Sequence, residues 1–182
     1  MKQSFVKILL FILLATVSNS FAQTWRIYSP PNKSFIIRLP APLRPEKYFD
    51  DDADLSPDPN GYTAINFYGA RQSSPKLRSF LIMVINVSEG LRKKNPNGNE
   101  LGGLEFMIGG DNGIPTSESN INFRGLRGKE FIYATKNILT GGRILDAGKR
   151  IYLLSLKAEN AEDLISPSAE RFFGSFRPSK QK

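Results

Sequence analysis

The chain lacks both cysteine and histidine in 182 residues. Without cysteine there is no disulfide frame, no thiol nucleophile and no cysteine-bound zinc or iron–sulfur cluster. Without histidine there is no Ser-His-Asp relay, no HExxH zinc helix and no side chain whose ordinary pKa lies near neutrality. Acidic residues are also in deficit, 17 against 25 Lys and Arg. What is present fits one globular domain: 40% apolar residues, 23% charged residues and a length within the usual single-domain range.

The first 22 residues have the pattern of an export signal. Lys2 and Lys7 precede an apolar run from Ile8 to Val17, too short to span a bilayer core about 30 Å thick. Ser18, Asn19 and Ser20 break the run, and Ser20-Phe21-Ala22 offers small residues at −3 and −1, which places cleavage before Gln23. No later stretch is long and apolar enough for a membrane span. The expectation is a signal peptide over 1–22, one domain over 23–178 and a basic tail over 179–182, in a protein exported to the periplasm or beyond. The signal takes two of the 25 basic residues and no acid, so the mature chain has 23 basic and 17 acidic residues, net +6. That balance describes a basic surface, or attraction to an anionic membrane, cell-wall polymer or acidic protein. Export and the lack of a recognition motif exclude nucleic acid as the expected partner.

Period-two patterning dominates the mature chain. Short strands are expected at Trp25–Tyr28 and Ser34–Leu39, the latter with Phe35, Ile37 and Leu39 on one face. Longer ones follow at Tyr62–Ala70 and Arg78–Ser88. The second of these is apolar on both faces, with Phe80, Ile82 and Val84 on one and Leu81, Met83, Ile85 and Val87 on the other, so it should be a central strand covered on both sides. Gly90–Gly98 reads as a polar turn, and Leu101, Leu104 and Ile108 recur at helical spacing. Glu118–Phe123, Lys129–Thr135, Ile138–Leu145 and Arg150–Lys157 form an expected antiparallel meander, with Gly125, Gly128, Gly141, Gly142 and Gly148 at turns or bulges. Ser166 as N-cap, Pro167 in the first helical position, and Ala169, Phe172, Phe173 and Phe176 define a closing helix locked onto the sheet.

Candidate chemistry is sparse. Asp50, Asp52 and Asp54 have the opening spacing of a calcium loop, but Leu55 and Gly61 stand where an EF-hand needs Gly and Glu, leaving a solvated acidic loop or a loose calcium site. Gly125–Glu130 and Gly148–Arg150 contain a Gly-Lys pair without the remainder of a P-loop. Ser73-Ser74-Pro75-Lys76 matches S-x-x-K by letter, in a turn and without the partner motifs of a Ser-Lys hydrolase. Glu105, Glu130 and Asp146 are the carboxylates on or beside ordered elements that could support acid–base hydrolysis. Among the aromatics Trp25, Tyr28, Tyr62, Phe67, Tyr68, Tyr133 and Tyr152, the rings of Tyr62 and Tyr68 share a face with Asn66 and are the candidates for ligand contact. Arg92-Lys93-Lys94 is a basic cluster suited to an anionic surface or to a solvated loop tip.

The opening Trp25…Tyr28-Ser29-Pro30 with Phe35-Ile36-Ile37-Arg38-Leu39-Pro40 resembles the start of PsbP-like proteins. The ending, Gly148–Tyr152 followed by Ala169–Phe176, is similar to small exported bacterial proteins of unknown function on the same scaffold. The resemblance implies an α+β fold, a largely antiparallel sheet sandwiched between helices, and a non-enzymatic accessory role; a small β-barrel with a C-terminal helix is the alternative architecture. It transfers no site residue.

The function expected from all of this is a non-catalytic accessory protein that binds an envelope protein or anionic surface, with no cofactor unless calcium occupies the acidic loop. A small-ligand or carbohydrate binder is the first alternative, and a carboxylate-dependent hydrolase the second.

Overall fold

Alternation of apolar and polar residues becomes two antiparallel sheets in the computed structural model, which describes residues 24–40, 62–71, 77–94, 114–135 and 137–179. A three-stranded sheet in the order β1-β2-β9 joins β1 (Trp25–Tyr28), β2 (Phe35–Pro40) and β9 (Arg177–Pro178). The larger sheet contains β3 (Tyr62–Arg71), β4 (Leu77–Val87), β5 (Ile114–Phe123), β6 (Leu126–Thr135), β7 (Ile138–Asp146) and β8 (Arg150–Ala158), in the order β3-β4-β8-β7-β6-β5. Three helices are described: α1 (Glu89–Lys94), α2 (Ala161–Leu164) and α3 (Pro167–Ser175). Strands β5 to β8 form the expected meander, and every pairing is antiparallel.

The doubly apolar segment is β4, and it lies second from the edge against β8. Its two side-chain sets enter two separate buried clusters. Phe80, Ile82 and Val84 join Tyr152, Leu154 and Leu156 of β8 under β2 and α3. Met83, Ile85 and Val87 join Phe131, Ile144, Ile151 and Leu153 on the opposite face. A strand buried on both faces needs apolar residues at consecutive positions, which explains the unbroken run. The cover on the first face is mixed, made by the small sheet as well as by the helices. The sheet stays open among the described residues, with β3 and β5 at opposite ends, so the barrel alternative does not hold.

Helix α3 forms as its sequence predicts. The Ala169 amide donates to Oγ of Ser166, Pro167 occupies the first turn, and Ala169, Phe172 and Phe173 are buried. Phe176, just beyond the helix, packs against Tyr152 and Phe35 with ring centroids 5.1 and 6.0 Å apart. Each buried Phe contributes about 1.5–3 kcal/mol, so this helix is a principal anchor of the first cluster. Beneath it the Tyr152 hydroxyl donates to the Ser34 carbonyl at 2.8 Å.

Several local features depart from the sequence-based expectations. Glu89–Lys94, overlapping the start of the polar turn expected over Gly90–Gly98, is a short helix, α1. Strand β5 begins at Ile114, four residues earlier than the pattern suggests. Arg177 and Pro178 pair with Ile36 and Phe35, and the Ser179 amide donates to the Ser34 carbonyl, so order reaches the first residue of the expected tail. Gly125 and Gly148 occupy turns with φ of 83° and 79°, the left-handed region that favours glycine. Gly128, Gly141 and Gly142 instead lie inside strands in unbroken register: a Cβ would overlap the Ile144 carbonyl oxygen at Gly128 and the Phe131 ring at Gly142, and at Gly141 it would press on the Leu164 side chain at 3.1 Å. The expected helix around Leu101–Ile108, the acidic loop and the signal segment lie outside the described residues.

Candidate functional site

The carboxylates considered for hydrolysis do not converge. Glu130 pairs with Arg143 across β6 and β7, its Oε1 accepting from Nε at 2.7 Å, on the helix-covered face. Asp146 is three residues further along β7 and therefore on the opposite face. There it accepts a bidentate pair from Arg92 at 2.9 and 2.6 Å and a further bond from the Gly148 amide. A sheet separates the two carboxylates, so they cannot flank one bond. Glu105 lies outside the described residues.

Arg92 of the basic cluster is thus held on Asp146 and the Gly148 carbonyl, where it fastens α1 to the β7–β8 turn. Of the two Gly-Lys pairs expected at strand connections, Gly148-Lys149 lies between β7 and β8, whereas Gly128-Lys129 lies inside β6, in register with Leu145 and Ile144 of β7. Four of the seven aromatics have structural roles. Trp25 meets Phe80 edge-on, Tyr28 packs on Phe35, and Tyr133 and Tyr152 are buried. Tyr62 and Tyr68 stand opposite Val87 and Ile82 in register, and their side chains, like that of Phe67, lie outside the description. Asp50, Asp52, Asp54 and the Ser73–Lys76 motif are also outside it. Among the described residues no three acidic side chains are grouped as a metal site would require, and no helix is long and apolar enough to cross a membrane.

A different place on the molecule combines features that a partner could use. Strand β2 alternates buried Phe35, Ile37 and Leu39 with exposed Ile36 and Arg38. Arg38 stands opposite Ile27 of β1, and Ile36 opposite Arg177 of β9, so these four project from the outer face of the small sheet. Beside them β9 is too short to cover the edge of β2, and the Arg38 amide donates instead to Oγ of Ser175 at 2.9 Å. The junction with the last turn of α3 leaves an open groove of about 410 Å³ lined by Ile27, Ile36, Arg38, Arg171, Ser175 and Arg177. Ile27 is 70% exposed and Ile36 46%. Two exposed isoleucines lining one groove form an apolar surface that a partner could cover.

The arginines around the groove are held in place. Arg171 lies over the Trp25 ring at 5.4 Å. Arg177 donates to the Gly174 and Phe176 carbonyls at 2.9 and 2.8 Å, and Arg124 donates to the same Gly174 carbonyl at 2.9 Å. These bonds satisfy carbonyls at the negative end of α3. Burial, and secondarily the charge of Arg124, push the Arg177 guanidinium below its ordinary value. No acidic side chain pairs with Arg38, Arg171, Arg177 or Arg124 among the described residues; the ion pairs described are Arg92–Asp146, Lys129–Glu118 and Arg143–Glu130. Among the described residues the groove therefore sets arginines without acidic partners around an apolar centre.

Sequence reasoning missed this groove because its residues come from positions 27–38 and 171–177 and meet only through tertiary packing. One signal was available: β2 alternation places Ile36 outward, where a polar residue is the usual choice.

The sequence matches no family model, and no curated protein matches it. Solved structures do. The cyanobacterial PsbP (CyanoP) of Synechocystis sp. PCC 6803 is similar over 89% of this chain and 96% of its own, with a TM-score of 0.50 at 9% identity. A Pseudomonas aeruginosa protein of unknown function aligns over 86% of this chain and 99% of its own, with a TM-score of 0.47 at 12% identity. The Ran-binding protein Mog1p of Saccharomyces cerevisiae aligns over 86% and 96%, with a TM-score of 0.46 at 8% identity. The likeness to the cyanobacterial protein gives the chain a PsbP-like α+β fold. At this identity it extends to fold alone.

Proposed function

We propose that this chain is an exported, non-catalytic accessory protein of the cell envelope, and that it docks an acidic segment of a partner protein in the groove of Ile27, Ile36, Arg38, Arg171 and Arg177. Membership of the PsbP-like family beyond the shared fold belongs to the same proposal. The observation that carries it is the pairing of two exposed isoleucines with arginines that no acidic side chain neutralises among the described residues. Arginine is among the residues from which protein interfaces draw most of their energy, and an apolar centre with a polar rim is their usual anatomy. Arg171 on Trp25 and Arg177 on the helix carbonyls are already oriented, so their ordering cost on docking is small. The signal-like first 22 residues and the mature charge of +6 support export and an anionic partner.

The test is affinity capture from cell-envelope extract, comparing the mature chain with an R38E/R171E variant of equal thermal stability. The expected result is one protein, identified by mass spectrometry, retained at physiological salt by the wild type and lost with the variant and at high salt. A partner retained equally by both chains, or no partner at physiological salt, would refute the groove.

A further inference from the structure

On the other side of α3 a second, smaller cleft opens over the β5–β7 end of the large sheet. Its volume is about 260 Å³, below the 300–1,000 Å³ usual for drug-sized ligands, so an occupant must be small. Its chemistry is specific. Arg143 rises from the sheet with its guanidinium against the rings of Phe173 and Phe123, 4.9 and 5.3 Å from their centroids. Glu130 engages Nε and no more. The two terminal nitrogens bond to nothing among the described residues, and the side chain remains 24% exposed. Held by two rings and a carboxylate, this guanidinium offers a fork set for a carboxylate.

Glu170, exposed on α3, lines the same cleft and has no partner among the described residues. The same cleft is lined by the apolar side chains of Ile132, Phe173 and the 74% exposed Ile165, and by Ser119 of β5. With Glu130 and Glu170 against a single Arg143, the described lining is net negative by one, which disfavours a simple anion. A simple cation would face Arg143.

We infer that this cleft binds a small zwitterion with an apolar side chain, of the class of a free aliphatic or aromatic α-amino acid. Its carboxylate meets the terminal nitrogens of Arg143, its ammonium meets Glu170, and its side chain lies on Ile132, Phe173 and Ile165. The site uses none of the groove residues and stands or falls independently of the docking reading.

Isothermal titration with leucine and phenylalanine, alongside amide chemical-shift mapping, tests it. The expected result is saturable binding with shifts at Ser119, Gly141 and Arg143. Binding should weaken by about tenfold or more for 4-methylpentanoate, which lacks the ammonium, and for 3-methylbutylamine, which lacks the carboxylate. R143Q should abolish binding. E170Q, a change at an exposed helix position that leaves folding intact, should abolish the preference for leucine over 4-methylpentanoate. The inference is overturned by an absence of saturable binding at millimolar amino acid, by equal affinity for leucine and 4-methylpentanoate, or by an unchanged preference in E170Q.

Discussion

Gly142 sits where the large sheet is most tightly packed, and replacing it with alanine should destabilise the protein by a calculable amount. A Cβ at this position overlaps Cζ of Phe131 and stands 2.8 Å from the Leu154 carbonyl oxygen. Neither neighbour can yield easily. Phe131 is 1% exposed and meets Tyr133 edge-on at 5.5 Å, while Gly142 is held in register by Phe131 on β6 and Ser155 on β8. Overpacking of this kind costs about 1–3 kcal/mol. Loss of glycine freedom in the unfolded chain returns about 0.4–1 kcal/mol. With a backbone oxygen and a buried ring both in the way, the upper part of that range, about 2–3 kcal/mol, applies, so the net destabilisation is about 1–2.6 kcal/mol, or a fall in Tm of about 2–10 °C for a domain of this size. Gly174→Ala is the matched control: its Cβ meets nothing within 4 Å and it lies in α3, so alanine should stabilise by about 0.5–1 kcal/mol. Urea unfolding of both variants checks the pair, and F131L should recover part of the Gly142→Ala loss by at least about 0.5 kcal/mol of coupling. A Gly142→Ala protein as stable as the wild type would refute the packing argument.

Other expectations follow from single contacts. Ser166→Ala removes the cap on the Ala169 amide and should cost about 1 kcal/mol in the same unfolding assay. Burial raises the Tyr152 pKa above its ordinary value of 10.0, outweighing the opposing hydrogen bond and charge of Arg150. Its contribution is therefore complete below about pH 10, where both folded and unfolded phenols are protonated, and is lost as pH rises from there through the raised folded value. Y152F should lose about 1 kcal/mol at neutral pH, with the Ser34 carbonyl still bonded by the Ser179 amide, and show a shallower alkaline decline than wild type in a pH series of melts. Ile36→Ser should leave stability within about 0.5 kcal/mol, because the side chain is exposed, while abolishing partner capture.

The strands and the closing helix were legible because their signals are local. Alternation in Phe35–Leu39 and the double run in β4 depend on which neighbours a residue faces, and the Ser166–Pro167 start depends on four consecutive positions. What escaped was set by contacts distant in sequence. Gly128, Gly141 and Gly142 look like turn glycines until Phe131, Leu164 and Ile144 are seen to occupy the space beside them. Arg177–Pro178 is too short to announce a strand and pairs only because α3 delivers it to β2. The separation of Glu130 from Asp146 followed from β7 alternation, yet needed the register of β6 to be certain. The groove required β1, β2 and the end of α3 to meet, and no window of sequence contains all three.

A photo-crosslinking residue at Ile36, expressed in cells of the native host, tests the docking claim most directly, with the same residue at exposed Asn120 on the far edge of the large sheet as control. The account predicts one discrete adduct from position 36, absent from position 120 and eliminated by R38E/R171E. Adducts of equal yield from both positions, or none from position 36, would contradict it.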